Sequence, residues 1–409
     1  MWQRRSGLRH RRSDRSPVYF GVVEPGTTTL RLLVVEAGDV QANVLGWAEG
    51  PGWTGVGSDR QALATACGDA LAHAEEMAQA LGDRWVLPDQ VLVGLPGSQL
   101  RAQAWSITQR RLQPDRPVDE RELQGLLDRT LRLAVNRLRG VEDTGRDWVL
   151  VDTAPVALTI DGRGVTDPVG FRGREVGATV FAALAPTEVV EIWGLVAREL
   201  EFRALTLTAA PLALAAAMST SQGILMDIGG QATDLIWCRA GRPYLLASLN
   251  SGGDALTDLL VRKWNRTTDW AERLKRAYSN GDLTADGMAE VQELLWSGLQ
   301  AWLEETEAVM ARLNRDEALP QHLYLLGGGS TLPEMTEAVR SLAWSQRLQF
   351  ARYPQVCRLQ PTDVPGVVNR TRMGREMGDV SALALAAWIV KLKELRGRPG
   401  RILNELVQG

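Results

Sequence analysis

The stretch from Gly223 to Trp237 constrains the fold most, because two apolar runs flank a short glycine turn. Asp227 lies near the end of the first run, and Gly229 and Gly230 follow before the second run begins. Glycines let backbone N–H groups approach phosphate oxygens, and an aspartate fixed at a strand end can orient a water on Mg²⁺. The same pattern also makes an ordinary hairpin turn, so the motif alone leaves both interpretations open.

Two further loops of the same character occur elsewhere in the chain. Near the amino terminus, an apolar run ends at a polar turn, Glu24 to Thr29, and a second apolar run follows. Farther on, Gly327 to Thr331 follows a short apolar strand and precedes a helix, whose amino terminus favours anions. Two hairpins in separate halves can clamp a phosphate chain from opposite sides. The three loops together predict a nucleotide site between two lobes.

Composition narrows the functional class. The chain has 409 residues, 45% hydrophobic and 23% charged, which suits a globular protein of two or three domains. A net charge of -3 and the absence of an aromatic–basic stripe predict no nucleic-acid partner. The three cysteines and three histidines are scattered, which argues against a disulfide framework, a zinc site or a Ser/His/Asp triad. The lack of a secretory signal or spanning segment predicts a cytoplasmic protein.

Changes of pattern along the chain predict its domains. Residues 88–184 alternate strands with one helix and form an inserted subdomain, in which Asp119 caps the helix and Glu122 completes a capping box. The first sixteen residues carry six arginines and little to bury, which predicts disorder. The predicted parts are a basic tail (1–17), a first lobe (18–87 and 185–220, completed by a helix near 376–392), the inserted subdomain (88–184), a second lobe with a reduced outer subdomain (221–375) and a carboxy-terminal tail (393–409).

The order of these motifs resembles the actin-like ATPase superfamily, in particular the bacterial group that contains FtsA and PilM. Glu24-Pro-Gly-Thr27 is similar to the family's first phosphate loop, and Asp227 to Asp234 is similar to the second. Gly327 to Ser330 is similar to the adenosine loop. The segment from Ala271 to Tyr278 looks like the family helix whose acid holds ribose and whose lysine packs on adenine. The resemblance implies an α/β protein with the duplicated, ribonuclease H-like actin fold, two lobes around a nucleotide cleft and an FtsA-type inserted subdomain.

The same resemblance implies ATP and Mg²⁺ as cofactors and assigns residues to them. Asp227 orients the waters of the metal, and Glu24 is the second catalytic candidate. The residues implied in binding ATP are Gly26, Thr27, Thr28, Gly229, Gly230, Gln231, Glu272, Lys275, Gly327, Gly328, Gly329 and Ser330.

Departures from the family pattern bear on hydrolysis more than on binding. Glu24 is one methylene longer than the usual aspartate, and Pro25 lacks a backbone donor. Gln231 and Ala232 replace a glycine and a threonine. Remaining backbone donors can still hold phosphate, whereas attack by water needs accurately placed groups. We therefore expect a slow ATPase at most, and a degenerate fold that binds no nucleotide is the alternative.

The inserted subdomain points to assembly as the purpose. Val93 to Ser98 and Asp167 to Gly173 look like the FtsA-type subdomain, which mediates contacts between subunits or with other machinery. The leading hypothesis is therefore an ATP-binding scaffold of bacterial cell division or a related membrane-associated assembly, which self-associates as a filament or oligomer. Its partners would be proteins of the division or envelope membrane complex.

Two alternatives stay open from the sequence. The segment after Tyr278 is short, which resembles PilM and weakens a direct contact with FtsZ. A PilM-like adaptor of a pilus or secretion assembly, which binds a membrane-protein peptide with nucleotide structural or absent, is the second hypothesis. A sugar or acid kinase of the same superfamily is the third, although it has no use for the inserted subdomain.

Both chain ends suggest a peripheral contact with the inner face of the cell membrane. Ile402, Leu403, Leu406 and Val407 form a short apolar face near the carboxy terminus, and arginines crowd the amino terminus. So short a helix binds a bilayer weakly, and arginines add attraction to an anionic leaflet. We expect the two tails to share this contact.

Overall fold

The computed structural model describes eight stretches of the chain, and the basic amino-terminal tail predicted to be disordered lies outside them. The described residues are 18–82, 86–140, 145–218, 222–239, 241–313, 317–341, 347–394 and 397–408.

The strands in chain order are β1 (Val18–Pro25), β2 (Thr29–Ala37), β3 (Ala42–Pro51), β4 (Gln90–Leu95), β5 (Arg101–Arg110), β6 (Trp148–Ile160), β7 (Arg163–Val165), β8 (Glu175–Pro186), β9 (Ala204–Ala209), β10 (Gln222–Ile228), β11 (Thr233–Arg239), β12 (Arg242–Leu249), β13 (His322–Leu326), β14 (Gln355–Arg358) and β15 (Val367–Asn369). The helices are α1 (Arg60–Gly82), α2 (Glu120–Arg139), α3 (Thr187–Glu199), α4 (Ala210–Ala217), α5 (Gly253–Trp264), α6 (Thr268–Asn280), α7 (Ala285–Leu313), α8 (Pro333–Arg340), α9 (Val380–Glu394) and α10 (Arg398–Gln408).

A six-stranded sheet in the order β15-β3-β2-β1-β4-β9 forms the centre of the first lobe. β1 to β3 run antiparallel, and β4 and β9 then add in parallel. Side chains along β2 alternate between the two faces of the sheet. Leu33 and Val35 join the cluster that contains α4 and α9, whereas Leu32 and Val34 join the cluster that contains α1 and α3. The sheet is therefore covered on both faces.

The second lobe repeats this plan with the strand order β14-β13-β10-β11-β12. β10, β11 and β12 are antiparallel, and β13 and β14 add in parallel. Helices α5, α7 and α8 pack on it, and Trp302 of α7 is buried, as expected from the helical spacing of the apolar residues in α7. The duplication agrees with the two-lobed fold predicted from the sequence, and it places the β1–β2 and β10–β11 turns in equivalent positions.

The inserted subdomain consists of β5, β8, β6, β7 and helix α2. Asp119 caps α2 by accepting a hydrogen bond from the Glu122 N–H at 2.9 Å. The sequence placed the start of this subdomain at residue 88, but Gln90–Leu95 pairs with β1 and β9 inside the first-lobe sheet. Because strand membership is decided by its partners, the subdomain begins after this strand.

The carboxy-terminal helix α10 packs on the inserted subdomain. Ile402 and Leu403 are buried in the core that α2 and β8 also supply. Arg398 pairs with Asp167, and Arg401 pairs with Glu120, each at 3.0 Å. Of the apolar face that the sequence assigned to a weak membrane contact, Ile402 and Leu403 are therefore covered by the protein itself, Leu406 is partly buried and Val407 is 40% exposed. Among the described residues, no helix has the length and apolar character needed to cross a bilayer.

Candidate functional site

The turns of the two equivalent hairpins face one cavity of about 390 Å³ between the lobes. The glycine loop after β13 and residues of α6 complete its wall. Twelve of the fourteen residues predicted from the sequence line it, namely Glu24, Gly26, Thr27, Thr28, Asp227, Gly229, Gly230, Glu272, Lys275, Gly327, Gly328 and Gly329.

The other two predicted residues lie beside the cavity rather than in its wall. Gln231 lines a second cavity, and its backbone N–H donates to Thr27 Oγ1 at 3.2 Å. Ser330 is buried, and its hydroxyl donates to the Gly327 carbonyl at 2.6 Å. Gln231 therefore connects the two hairpins, and Ser330 shapes the glycine loop.

Short polar contacts connect the first hairpin to the second. Thr28 Oγ1 donates to Asp254 Oδ1 at 3.3 Å. The backbone N–H groups of Gly253 and Asp254 donate to the carbonyls of Gly229 and Gly230, both at 2.9 Å. A Cβ at Gly230 would lie 2.2 Å from Thr28 Oγ1, so only glycine allows this approach. The close contact brings both glycine turns to the same end of the cavity.

Glu24 is held by an arginine that the sequence analysis did not single out. Arg31 Nη1 donates to Glu24 Oε2 at 2.9 Å, and Arg31 Nε donates to Asp379 Oδ1 at 2.8 Å. The Arg31 side chain is 15% exposed and that of Asp379 is 6% exposed. Burial raises the pKa of Glu24, while the charge of Arg31 offsets part of that increase. Glu24 therefore lines the cavity as one member of an ion pair with Arg31.

Asp227 lies at the end of β10, where the strand meets the glycine turn. Its Oδ2 accepts a hydrogen bond from Ser381 Oγ of α9 at 2.8 Å, which joins the second lobe to the first. Burial and the nearby carboxylate of Asp234 raise the pKa of Asp227 to about 6. Asp234 in turn accepts a hydrogen bond from the Gly97 N–H at 2.6 Å, at the entrance to the inserted subdomain.

Glu272 and Lys275 face the cavity from α6 and bond to each other. Lys275 Nζ donates to Glu272 Oε1 at 2.6 Å, to Thr257 Oγ1 at 2.6 Å and to the Gly253 carbonyl at 3.1 Å. Thr257 also donates to Glu272. This network fixes both side chains in the part of the wall that α6 supplies, and the resemblance assigns them to ribose and adenine.

The glycine loop after β13 needs its glycines for two different reasons. Gly327 has a φ of +85°, a conformation that favours glycine, and a Cβ there would lie 2.5 Å from the Ile228 carbonyl. Gly328 has no atom within 4 Å of a hypothetical Cβ, so it borders open space in the cavity. The loop thus packs tightly against β10 and exposes its backbone to the cavity.

The charges around the cavity fit a polyphosphate that brings its own cation. Its lining includes more carboxylates than cationic side chains, so a bare triphosphate would meet net repulsion. In the described part of the chain, no cluster of three or more His, Cys, Asp or Glu residues is arranged to hold a metal. Magnesium keeps several waters and is usually held by one or two carboxylates together with substrate phosphates. Asp227 at the glycine turn suits that mode of binding.

Sequence reasoning missed Arg31, Asp254, Asp379 and Ser381, which all belong to the site or support it. Arg31 lies between leucines in an apolar strand, and a charge in such a run is a usable signal. Asp379 and Ser381 carry no comparable signal, because they are far along the chain and contact Arg31 and Asp227 only in the folded protein.

Comparisons with known proteins agree with this fold. No protein-family model and no curated protein sequence matches the chain. Among solved structures, the chain resembles one in the PilM–PilN type IV pilus biogenesis complex with 20% identity and a TM-score of 0.63, over 92% of this chain and 99% of that one. It also matches the ethanolamine utilization protein EutJ from Carboxydothermus hydrogenoformans, with 15% identity and a TM-score of 0.48 over 91% of each chain. A third match is ADP-bound MreB5 of Spiroplasma citri, with 10% identity and a TM-score of 0.44 over 92% of this chain and 97% of that one.

The protein therefore has the actin-like ATPase fold, and the prediction of this fold class is confirmed.

Proposed function

We propose that this chain binds Mg-ATP between its two lobes and acts as an actin-like scaffold in a membrane-associated assembly of cell division or a related process. The observation that carries the proposal is the convergence of two glycine hairpins and one glycine loop on a single cavity. These three loops are far apart in the sequence, and the fold brings them together at this cavity.

Each part of the cavity has a role under this proposal. Gly26, Gly229 and Gly230 allow backbone donors to reach the phosphates, and Thr27 and Thr28 supply hydroxyls beside them. Asp227 holds the waters of the magnesium ion. Glu272 and Lys275 bind the ribose and adenine end, against the exposed backbone of the glycine loop. The metal, when bound, neutralises phosphate charge that the carboxylates of the cavity would otherwise repel.

The arrangement favours binding over turnover. Glu24, the second catalytic candidate, is already paired with Arg31, which limits its freedom to orient a water. Pro25 provides no backbone donor at the first turn. Placement of the attacking water is the main contribution of the protein to this type of reaction. We infer slow hydrolysis at most, with nucleotide acting mainly to hold the two lobes together.

Thermal unfolding with and without nucleotide tests the binding proposal. Mg-ATP should stabilise the wild type, by about 2.7 kcal/mol at a ligand concentration of 100 times Kd. Asp227→Ala should lose the magnesium-dependent part of this effect, whereas Asp39→Ala, an exposed carboxylate in the β2–β3 turn, should keep it. A wild type that gains no stability from Mg-ATP would contradict the proposal and favour a scaffold that works without nucleotide.

A second candidate function is an adaptor of a pilus or secretion assembly that captures a peptide from a membrane protein. The observation that favours it is the direct passage from α6 to α7 through residues 281–284, which leaves the second lobe with a reduced outer subdomain. The chain in the PilM–PilN complex, similar over almost its whole length, belongs to such an assembly.

Electron microscopy on a lipid monolayer separates the two functions. Filaments that depend on Mg-ATP would support the self-associating scaffold. Capture of a membrane-protein tail in a pull-down, without filaments in either nucleotide condition, would support the adaptor.

A further inference from the structure

The outer end of the inserted subdomain is built from two loops that hold each other in place. These loops, residues 111–119 and 166–174, are called the tip from here on. The Val118 N–H donates to the Phe171 carbonyl at 2.8 Å, and the Gly170 N–H donates back to the Val118 carbonyl at 2.9 Å. The Arg111 N–H donates to the Arg174 carbonyl at 2.8 Å. Backbone hydrogen bonds thus hold the two loops of the tip together.

Arg111 stiffens the tip further from inside. Its guanidinium donates to both carboxylate oxygens of Glu122 at 2.7 and 2.9 Å, and to the carbonyls of Arg116 at 2.8 Å and Gly173 at 3.1 Å. Arg111 is only 7% exposed, so its charge serves the loops and not an outside partner. A tip held this firmly presents its outward side chains in fixed positions.

Two large apolar side chains face solvent on this rigid support. Leu112 is fully exposed and Phe171 is 51% exposed. Neither belongs to any of the hydrophobic clusters formed by the described residues. Folding gains nothing from an apolar side chain left in water, and these two belong to hydrogen-bonded loops of the same tip, which makes the tip a candidate site of interaction.

Exposed arginines flank these two side chains along the chain. Arg110 precedes the Arg111–Leu112 pair, and Arg172 and Arg174 follow Phe171; all three are exposed. Most carboxylates near these arginines already have partners. Asp119 pairs with Arg116, and Asp167 pairs with Arg398. Asp161 accepts hydrogen bonds from the backbone N–H groups of Arg174 and Glu175, Glu175 lies opposite Arg110 in the β5–β8 pair, and Asp115 is exposed. Arg172 and Arg174 form no ion pair within the described residues, so the side of the tip around Phe171 is locally cationic.

We propose that the tip of the inserted subdomain is a membrane contact that inserts Leu112 and Phe171 among the lipids of an anionic bilayer. An aromatic and an aliphatic side chain flanked by arginines match the boundary between head groups and acyl chains. The arginines match the negative surface of an anionic leaflet. A stable protein interface needs about 800 Å² on each side, which two protruding side chains do not provide.

This contact replaces the one that the carboxy-terminal helix cannot make while it is packed. Helix α10 buries Ile402 and Leu403 against the inserted subdomain, and its arginines Arg398 and Arg401 are paired there. Of its predicted apolar face, only Val407 among the described residues stays exposed. The proposal concerns a surface remote from the cavity and does not depend on nucleotide binding. A failed vesicle experiment therefore leaves the Mg-ATP experiment unaffected, and the reverse also holds.

Vesicle flotation of the full chain tests the contact. The wild type should float with vesicles of phosphatidylcholine and phosphatidylglycerol, and should not float with phosphatidylcholine alone. The double variant Leu112→Ser, Phe171→Ser should lower vesicle binding roughly tenfold or more, because its apolar area is lost. Arg172→Ala with Arg174→Ala should also lower binding roughly tenfold or more, because each arginine adds attraction to the leaflet.

Matched controls come from the first lobe. Val40 is 84% exposed in the β2–β3 turn, and the Arg203 side chain is 82% exposed beyond α3. Val40→Ser and Arg203→Ala should float like the wild type. All replaced side chains are exposed, so the variants should unfold at the temperature of the wild type.

A fluorescent label reports insertion directly. Cys67 and Cys238 are buried, and Cys357→Ser removes the exposed cysteine. A cysteine introduced by Leu112→Cys is then the accessible thiol among the described residues. An environment-sensitive dye there should shift to shorter wavelength on anionic vesicles, whereas the dye on Val40→Cys should not. Wild type that fails to float, tip variants that float normally, or a dye that stays in water would each overturn the proposal. Binding of an acidic peptide by the tip in place of vesicles would also overturn it and identify a protein-docking site.

Discussion

The two hairpins that form the cavity have the same backbone plan and opposite electrostatics. In the first, Glu24 faces Arg31 across β1 and β2; in the second, Asp227 faces Asp234 across β10 and β11. The register positions are equivalent, but one pair carries opposite charges and the other carries like charges. Opposite charges across a sheet stabilise it, and like charges destabilise it.

This difference assigns different work to the two halves of the duplication. The first hairpin neutralises its own carboxylate and adds Asp379, from the turn before α9, to the same arginine. The second hairpin keeps two carboxylates, and each is stabilised by a distant part of the chain: Ser381 for Asp227 and Gly97 for Asp234. The first therefore neutralises its glutamate within the hairpin, whereas the second depends on its surroundings and leaves negative charge for a cation.

Replacement of Arg31 should have the largest effect on this contrast. Arg31→Met leaves Glu24 and Asp379 without their cation in a partly buried place, which should cost about 3 kcal/mol of unfolding free energy. Urea unfolding measures this loss. The control is Arg132→Met, whose ion pair with Asp128 lies on the exposed face of α2 and should cost less than about 0.5 kcal/mol. Equal losses would show that the first hairpin does not rely on its internal pair.

The next largest effect should be a difference between the two glycine turns in the stability lost when a glycine is replaced by alanine. A Cβ at Gly26 would lie 2.4 Å from the Thr29 carbonyl, whereas one at Gly229 would lie 3.1 Å from the Ala232 carbonyl. Gly26→Ala should therefore cost about 2 kcal/mol, and Gly229→Ala should cost less than about 1 kcal/mol. Thermal and urea unfolding of the two variants side by side measure the difference. A larger loss at Gly229 would reverse the view that the first turn is the more tightly closed.

The last expected effect is a change in the pH dependence of stability. The pKa values of Asp227 and Asp234 are each raised to about 6, mainly by burial, above the value near 3.9 expected in the unfolded chain. Between about pH 4 and pH 6 the folded state thus binds more protons than the unfolded state, so the contribution of these groups to stability falls as pH rises through that window.

Asp234→Asn sharpens this result. It removes one of the two titrations and relieves the other of a neighbouring charge, so stability should decline less steeply from about pH 4 to pH 6 than in the wild type. Urea midpoints across the window measure the slope, and the asparagine retains an oxygen to accept from Gly97. Parallel slopes in the two proteins would contradict the assignment of like-charge coupling to the second hairpin.

The sequence predicted the two hairpins, whereas it assigned no third strand to either of them. Asp227 and its glycines stand between apolar runs, a local pattern that needs no knowledge of partners. β3 and β12 extend each hairpin, yet polar and small residues such as Asn43, Gly46 and Ser248 interrupt them. Such segments become strands because β2 and β11 offer them backbone partners, and this cannot be judged from their own composition.

The candidate site was predicted in the same uneven way. Glycines and the residues next to them were found, because close backbone approach demands a recognisable residue type. The residues that support Glu24 and Asp227 were not found from the sequence. These residues are Arg31, Asp379 and Ser381, and they act through contacts that form only on folding.

By itself the sequence determined the duplicated strand–turn–strand plan, the glycine loop and the presence of an inserted subdomain. These features follow from residue type and spacing over short distances. Only the tertiary structure decided that Asp379 joins the Arg31–Glu24 pair, that α10 buries Ile402 and Leu403 on the inserted subdomain, and that Leu112 and Phe171 stay in water at the tip. The physical reason is that exposure and charge pairing depend on what the rest of the chain places beside a residue, and those neighbours are distant in sequence.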